Sequence, residues 1–190
     1  MISILDSGVG GACFKLAMPF DCHLVCDSKH FPYGKKDLDW LKNHFLKLID
    51  EINSEIIIVA CNTLSSLIFY YQIDFNKQVV DVITPTIFYL RKHYFPNILI
   101  LATTNTIKMN VYEKLLRRKI DYLDVSELIS AIELNDYQEE LLKVIALVNK
   151  GYEAIVLGCT HLIKVKAEFR QALRATIISQ DELVYELFTN

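Results

Sequence analysis

The chain has 190 residues, 52% of them hydrophobic, five cysteines and a formal net charge of −3. Such a length serves one ordinary domain or two small ones, and such an apolar share excludes a disordered chain. A weakly acidic balance with no Lys/Arg stripe argues against nucleic acid as a partner, and no apolar run nears the roughly 20 residues of a membrane-spanning helix.

The first residues read as a strand rather than as the basic segment, apolar core and cleavage site of a secretory signal, so a soluble cytoplasmic chain is expected. That strand, 2–5, runs into Asp6-Ser7-Gly8-Val9-Gly10-Gly11, a glycine turn that exposes amides at the start of a following helix. Residues 23–26, His23-Leu24-Val25-Cys26, read as a short buried strand. Cys22, His23, Cys26 and His30 lie close in sequence, but their spacing fits no common zinc pattern, and no metal is expected there. Phe31-Pro32-Tyr33-Gly34 reads as a turn whose Tyr33 and neighbouring amide can reach a ligand. A helix is expected over 38–52, with Leu41, Phe45, Leu48 and Ile49 on one face. Strands follow at 55–60 and 79–83, and the best internal boundary is Thr84-Pro85-Thr86, where the proline restricts the chain. Beyond it come strands at 97–102, 121–124, 153–157 and 175–178, and helices near 107–119, 137–149 and 163–173.

Alternating strands and helices imply an α/β fold with parallel sheets covered on both faces, and ligands in such sheets bind outside the carboxyl ends of the strands. The pattern is also duplicated. Ile56-Ile57-Ile58-Val59-Ala60-Cys61-Asn62-Thr63 matches Ala154-Ile155-Val156-Leu157-Gly158-Cys159-Thr160-His161, and the spacing from Asp6 to Cys61 differs by one residue from that between Thr103 and Cys159. Two similar small α/β domains are therefore expected, with an active site in the cleft between them. Residues 1–84 plus 176–190 form the first and carry Asp6 and Cys61; 85–175 form the second and carry Thr103 and Cys159. The odd number of cysteines argues for thiols rather than disulfides. At the start of a helix the dipole lowers a thiol pKa, so both cysteines are expected to be activated. His161 is positioned to act as general acid, substrate ligand or tuner of Cys159.

Together these pieces resemble the glutamate racemases of the cofactor-independent aspartate/glutamate racemase superfamily. The matching segments are Asp6 to Gly11, Asp27 before Phe31-Pro32-Tyr33-Gly34, Ala60-Cys61-Asn62-Thr63 and Leu157-Gly158-Cys159-Thr160-His161, in the family order and through nearly the whole chain. His161 speaks for glutamate, because aspartate racemases tend to carry an acidic residue there. The resemblance implies a two-base isomerase that interconverts L- and D-glutamate without cofactor or metal and supplies D-glutamate for peptidoglycan synthesis. Cys61 is then expected to act on D-glutamate and Cys159 on L-glutamate, with Asp6, Glu133 and His161 assisting the thiols. Asp6, Ser7, Tyr33, Gly34, Asn62, Thr63, Thr103, Thr160 and His161 are the expected substrate ligands. Glutamate is the expected partner, and a homodimer is an allowed assembly.

The chain departs from the family in being shorter, in Leu162-Ile163-Lys164 where a tyrosine-proline pair is usual, and in Ile178-Ser179-Gln180 where an aspartate-serine turn is common. Two other readings stay open: a racemase of another acidic amino acid such as aspartate, and a non-catalytic regulatory homologue. Retention of both cysteines and His161 counts against the second.

Overall fold

The computed structural model describes residues 1–148 and 151–189. Among these residues are eight strands, at the places the apolar runs predict: β1 (Ile2–Asp6), β2 (His23–Cys26), β3 (Ile56–Val59), β4 (Gln78–Asp81), β5 (Ile98–Ala102), β6 (Asp121–Asp124), β7 (Ala154–Gly158) and β8 (Thr176–Ser179). They form two four-stranded sheets, ordered β2-β1-β3-β4 and β6-β5-β7-β8, and every pairing is parallel. Both sheets thus repeat one winding order. In each, the chain moves outward from the first strand and then returns to its other side, so a crevice opens between strands β1 and β3, and again between β5 and β7.

The central strands are sealed by helices on both faces, and all five residues of β5 and of β7 are buried. The edge strand β2 is a correction to the expectation of a buried strand: His23 and Cys26 are exposed. Polar ends suit an edge, where an apolar one would invite pairing with another chain.

Among the described residues nine helices connect the strands, α1 (Val9–Ala17), α2 (Leu38–Glu51), α3 (Asn62–Tyr70), α4 (Ile83–Lys92), α5 (Thr104–Met109), α6 (Val111–Leu116), α7 (Ser126–Glu133), α8 (Gln138–Val148) and α9 (Lys166–Ala172), and a tenth, α10 (Gln180–Thr189), follows β8. Helix α2 buries Leu38, Leu41, Phe45 and Ile49, and the Asp37 carboxylate caps it by accepting from the Trp40 amide at 2.9 Å. The single helix expected over 107–119 is two, because Asn110 takes a left-handed conformation at φ 52°. Asparagine tolerates that region better than most residues. The helix expected over 163–173 begins only at Lys166, after a 3-10 turn over Thr160–Val165. Of the helix expected over 137–149, Asn149 lies outside the described residues.

One buried apolar cluster runs through both halves, joining Leu5, Phe45 and Leu64 to Ile100, Tyr112 and Val156. The halves therefore share a core rather than meeting across a wet boundary. The expectation that residues from 176 onward return together to the first half needs correcting: β8 pairs with β7 in the second sheet. Only α10 crosses, packing on α4 and α1. Among the described residues no helix is long and apolar enough to cross a membrane.

Candidate active site

The parallel register places the chemistry. Leu5 pairs with Val59, so Asp6 and Cys61 emerge side by side from β1 and β3. Ala102 pairs with Gly158, so Thr103 and Cys159 emerge in the same way from β5 and β7. The two crevices face each other, and one small cleft is lined by Ser7, Tyr33, Cys61, Thr63, Cys159 and His161, among others. Gly34, Asn62, Thr103 and Thr160 border it too, as do Phe31, Pro32 and Ile129. Its free volume is about 20 Å³, room for one water molecule.

Each thiol has its own surroundings. Cys159 Sγ lies 3.6 Å from His161 Nδ1, and His161 Nε2 lies 2.6 Å from Glu133 Oε2. This is the thiol–base–orienting carboxylate order that activates a nucleophile or a base. Glu133 also accepts from the Val9 amide at 3.0 Å, so the carboxylate sits at the N-terminus of α1, where the helix dipole favours it. Among the described residues no imidazole hydrogen-bonds to Cys61. Cys61 Sγ lies 3.8 Å from Ser7 Oγ, and the fully buried Asp6, outside the cleft lining, is near enough for its charge to act on the thiol. Asp6 Oδ1 accepts the amides of Ser7 and Gly8 at 2.8 and 3.0 Å, and Asp6 Oδ2 accepts the Thr160 hydroxyl at 2.9 Å. The first amides of the glycine turn are thus taken by the protein's own carboxylates, Asp6 and Glu133.

Burial reverses the expected thiol activation. It pushes the Cys61 thiol up to about 12, with the Asp6 charge adding to the rise, and it holds the Cys159 thiol well above its ordinary value. Burial likewise raises Asp6, outweighing His161 and the hydrogen bonds. Desolvation of a fully buried group exceeds what a helix terminus supplies. Cys159 also precedes a 3-10 turn rather than an α-helix, which weakens the dipole argument further. The rise favours the protonated thiol at both cysteines near neutral pH. Once deprotonated, each becomes a stronger base than an ordinary thiolate.

The remaining predicted ligands fall around the same cleft. Thr63 Oγ1 lies 3.0 Å from Thr103 Oγ1 and 3.4 Å from Thr106 Oγ1, joining the halves through hydroxyls. Tyr33 donates to Asp27, and Gly34 packs so closely on Thr103 that a Cβ there would lie 2.7 Å from Thr103 Cβ.

Sequence reasoning missed the residues that hold these ligands. Asn105 donates to the carbonyls of Tyr33 and Lys36, at 2.9 and 2.8 Å, and so fixes the Pro32-Tyr33-Gly34 turn. Gln180 exchanges hydrogen bonds with Asn62 and donates to Tyr112 Oη at 2.7 Å and Thr86 Oγ1 at 3.1 Å. Tyr112 in turn donates to Asn62 Oδ1 at 2.7 Å. All four side chains are buried. Gln180→Ala is expected to cost about 1–3 kcal/mol by leaving buried polar groups without partners. It should also raise KM by loosening Asn62. Urea denaturation and steady-state kinetics of the purified variant check both.

The chain matches the Asp/Glu/Hydantoin racemase family over residues 12–184. It is 34% identical to the glutamate racemase of Helicobacter acinonychis, over 88% of this chain and 74% of that protein. Its fold superposes on that of glutamate racemase RacE1 from Bacillus anthracis with a TM-score of 0.83 at 23% identity, covering 100% of this chain and 80% of that one. It also superposes on glutamate racemase from Francisella tularensis in complex with D-glutamate, with a TM-score of 0.80 at 24% identity over 99% of this chain and 79% of that one.

Proposed function

The chain belongs to the Asp/Glu/Hydantoin racemase family, and we propose that within it this protein is a glutamate racemase, an isomerase working through two thiols without a cofactor. The observation that carries this reading is the pair Cys61 and Cys159, delivered to one cleft from equivalent strand ends of two sheets wound alike. Racemisation needs a base on one face of the α-carbon and an acid on the other. A duplicated fold with one thiol per half supplies that symmetry.

In the L-to-D direction His161 takes the Cys159 proton at Nδ1 while its Nε2–H donates to Glu133. The Cys159 thiolate removes the α-proton, and Cys61 donates its own proton to the opposite face. In the reverse direction Cys61 is the base, with Asp6 and Ser7 beside it, and Cys159 is the acid. Asn62, Thr63, Thr103 and Thr160 offer the polar groups that hold the substrate carboxylates as charge develops. A cleft with about 20 Å³ free is too small for glutamate, so the halves part to admit it. Such an enzyme supplies D-glutamate for peptidoglycan synthesis in the cytoplasm.

The test is to follow optical activity of purified protein with L-glutamate, with aspartate in parallel, in heavy water. Each glutamate enantiomer is expected to give product carrying solvent deuterium at the α-carbon, while remaining substrate stays largely unlabelled early on. The donor thiol has exchanged with solvent, whereas the abstracted proton stays on the other thiol. Retention of the original hydrogen in the product would favour a single base serving both faces. Faster turnover of aspartate would overturn the choice of substrate.

A further inference from the structure

A second group of chemistry-bearing side chains lies beside the cleft. Asp27 follows β2, His30 ends the short 3-10 turn Ser28–His30, and His44 projects from α2. His30 Nδ1 lies 2.8 Å from Asp27 Oδ1, and His44 Nε2 lies 2.6 Å from Asp27 Oδ2. One ligand atom from each of the three falls within 4.8 Å of those of the others.

We propose that Asp27, His30 and His44 form a binding site for a divalent transition-metal ion, with zinc the best match to two imidazoles and a carboxylate. The ion takes the place of the ring protons that now bridge to Asp27, and each ring keeps a proton on its other nitrogen. Ligand atoms about 2.1 Å from a tetrahedral ion stand about 3.4 Å apart. The two short contacts therefore open by under an ångström, and the remaining separation, no wider than 4.8 Å, closes onto the ion. The site also has supporting partners of the kind that orient metal ligands. Trp40 stacks on His44 with ring centroids 4.8 Å apart and planes 16° apart, and Tyr33 donates to Asp27. Access comes from the His30 side, where the side chain is 32% exposed against 16% for His44 and 11% for Asp27. Water completes the coordination there.

This site is independent of the racemase reading, and its test reads binding rather than turnover. Zinc chloride is titrated calorimetrically into the full chain carrying Cys61→Ser and Cys159→Ser, so that the cleft thiols do not compete. One equivalent is expected with a Kd in the micromolar range or tighter. His30→Asn and His44→Ala, each added to that background, should weaken binding about tenfold or more. His30→Asn is the decisive variant, because its side chain is part-exposed and the fold tolerates the change, as far-UV circular dichroism will show. Cobalt(II) in place of zinc should give d–d absorption without a thiolate charge-transfer band. Absence of binding at 100 µM zinc overturns the proposal. So does affinity unchanged by His30→Asn, or a charge-transfer band, which would assign the ion to Cys13, Cys22 or Cys26.

Discussion

Replacing either Cys61 or Cys159 with serine is expected to reduce racemisation by at least 10²–10⁴-fold, roughly the scale of a lost general acid or base, while leaving the fold intact. Both side chains are almost fully buried, at 7% and 8% exposure, and serine is close to cysteine in shape. Stability therefore changes little. Chemistry changes greatly, because a serine hydroxyl is far too weak an acid to give an alkoxide in a site that already resists charge. Burial, with the Asp6 charge adding to it, lifts the Cys61 thiol to about 12, and the same desolvation acts on a hydroxyl that starts much higher. His161 cannot compensate at Cys159, since an imidazole deprotonates serine usefully only when an oxyanion stabiliser and an electrophile accompany it. The two variants need not be equal. Cys159 has His161 and Glu133 behind it, whereas Cys61 has Ser7 and a buried carboxyl. Optical rotation of L- and D-glutamate with each purified variant, with circular dichroism as the folding control, checks the prediction. Near-normal turnover by either one removes that cysteine from the mechanism.

How much of this was legible in the sequence depended on range. The strands announced themselves as apolar runs, because a parallel strand buried on both faces needs no polar alternation. The paired cysteines stood out because the fold is wound twice in the same order, so equivalent strand ends carry equivalent residues. Edge and centre were not distinguishable, and His23-Leu24-Val25-Cys26 looked buried where its strand borders the sheet. The thiol environment was misjudged for a related reason. A helix start is visible in sequence, but the closure of one half over the other, which desolvates both thiols, is not. Long-range partners outside the family motifs were invisible. Gln180 stands 118 positions from Asn62, and His44 stands 17 positions and a helix away from Asp27. Asn105 carries no motif at all, though it holds the Tyr33 turn.

Gly10→Ala is expected to lower kcat/KM about 100-fold or more with only a modest loss of stability. A Cβ at Gly10 would lie 2.4 Å from Thr160 Oγ1, 2.6 Å from the His161 nitrogen and 2.7 Å from the Thr160 carbonyl carbon. A rotating hydroxyl relieves the first contact, but the other two are backbone, so α1 or the Thr160–Val165 turn must retreat by almost an ångström. That retreat happens where the halves are joined for catalysis. Thr160 donates to Asp6 across this contact, and Glu133, the partner of His161, accepts from Val9 beside Gly10. Moving the turn therefore displaces Cys159, His161 and Asp6 relative to Cys61 at once. A misplacement of about 1 Å in a reacting group costs on the order of 10²-fold. Stability responds less because two terms oppose: overpacking costs about 1–3 kcal/mol, whereas alanine gains up to about 1 kcal/mol over glycine inside a helix. Leu16→Ala is the control, since Leu16 lies on the same helix with 86% of its surface exposed. It should leave kcat/KM near wild type. Full activity in Gly10→Ala would show that the contact between α1 and the Cys159-Thr160-His161 segment yields without moving the thiols, and that the close approach of glycine to Thr160 has no part in holding the site together.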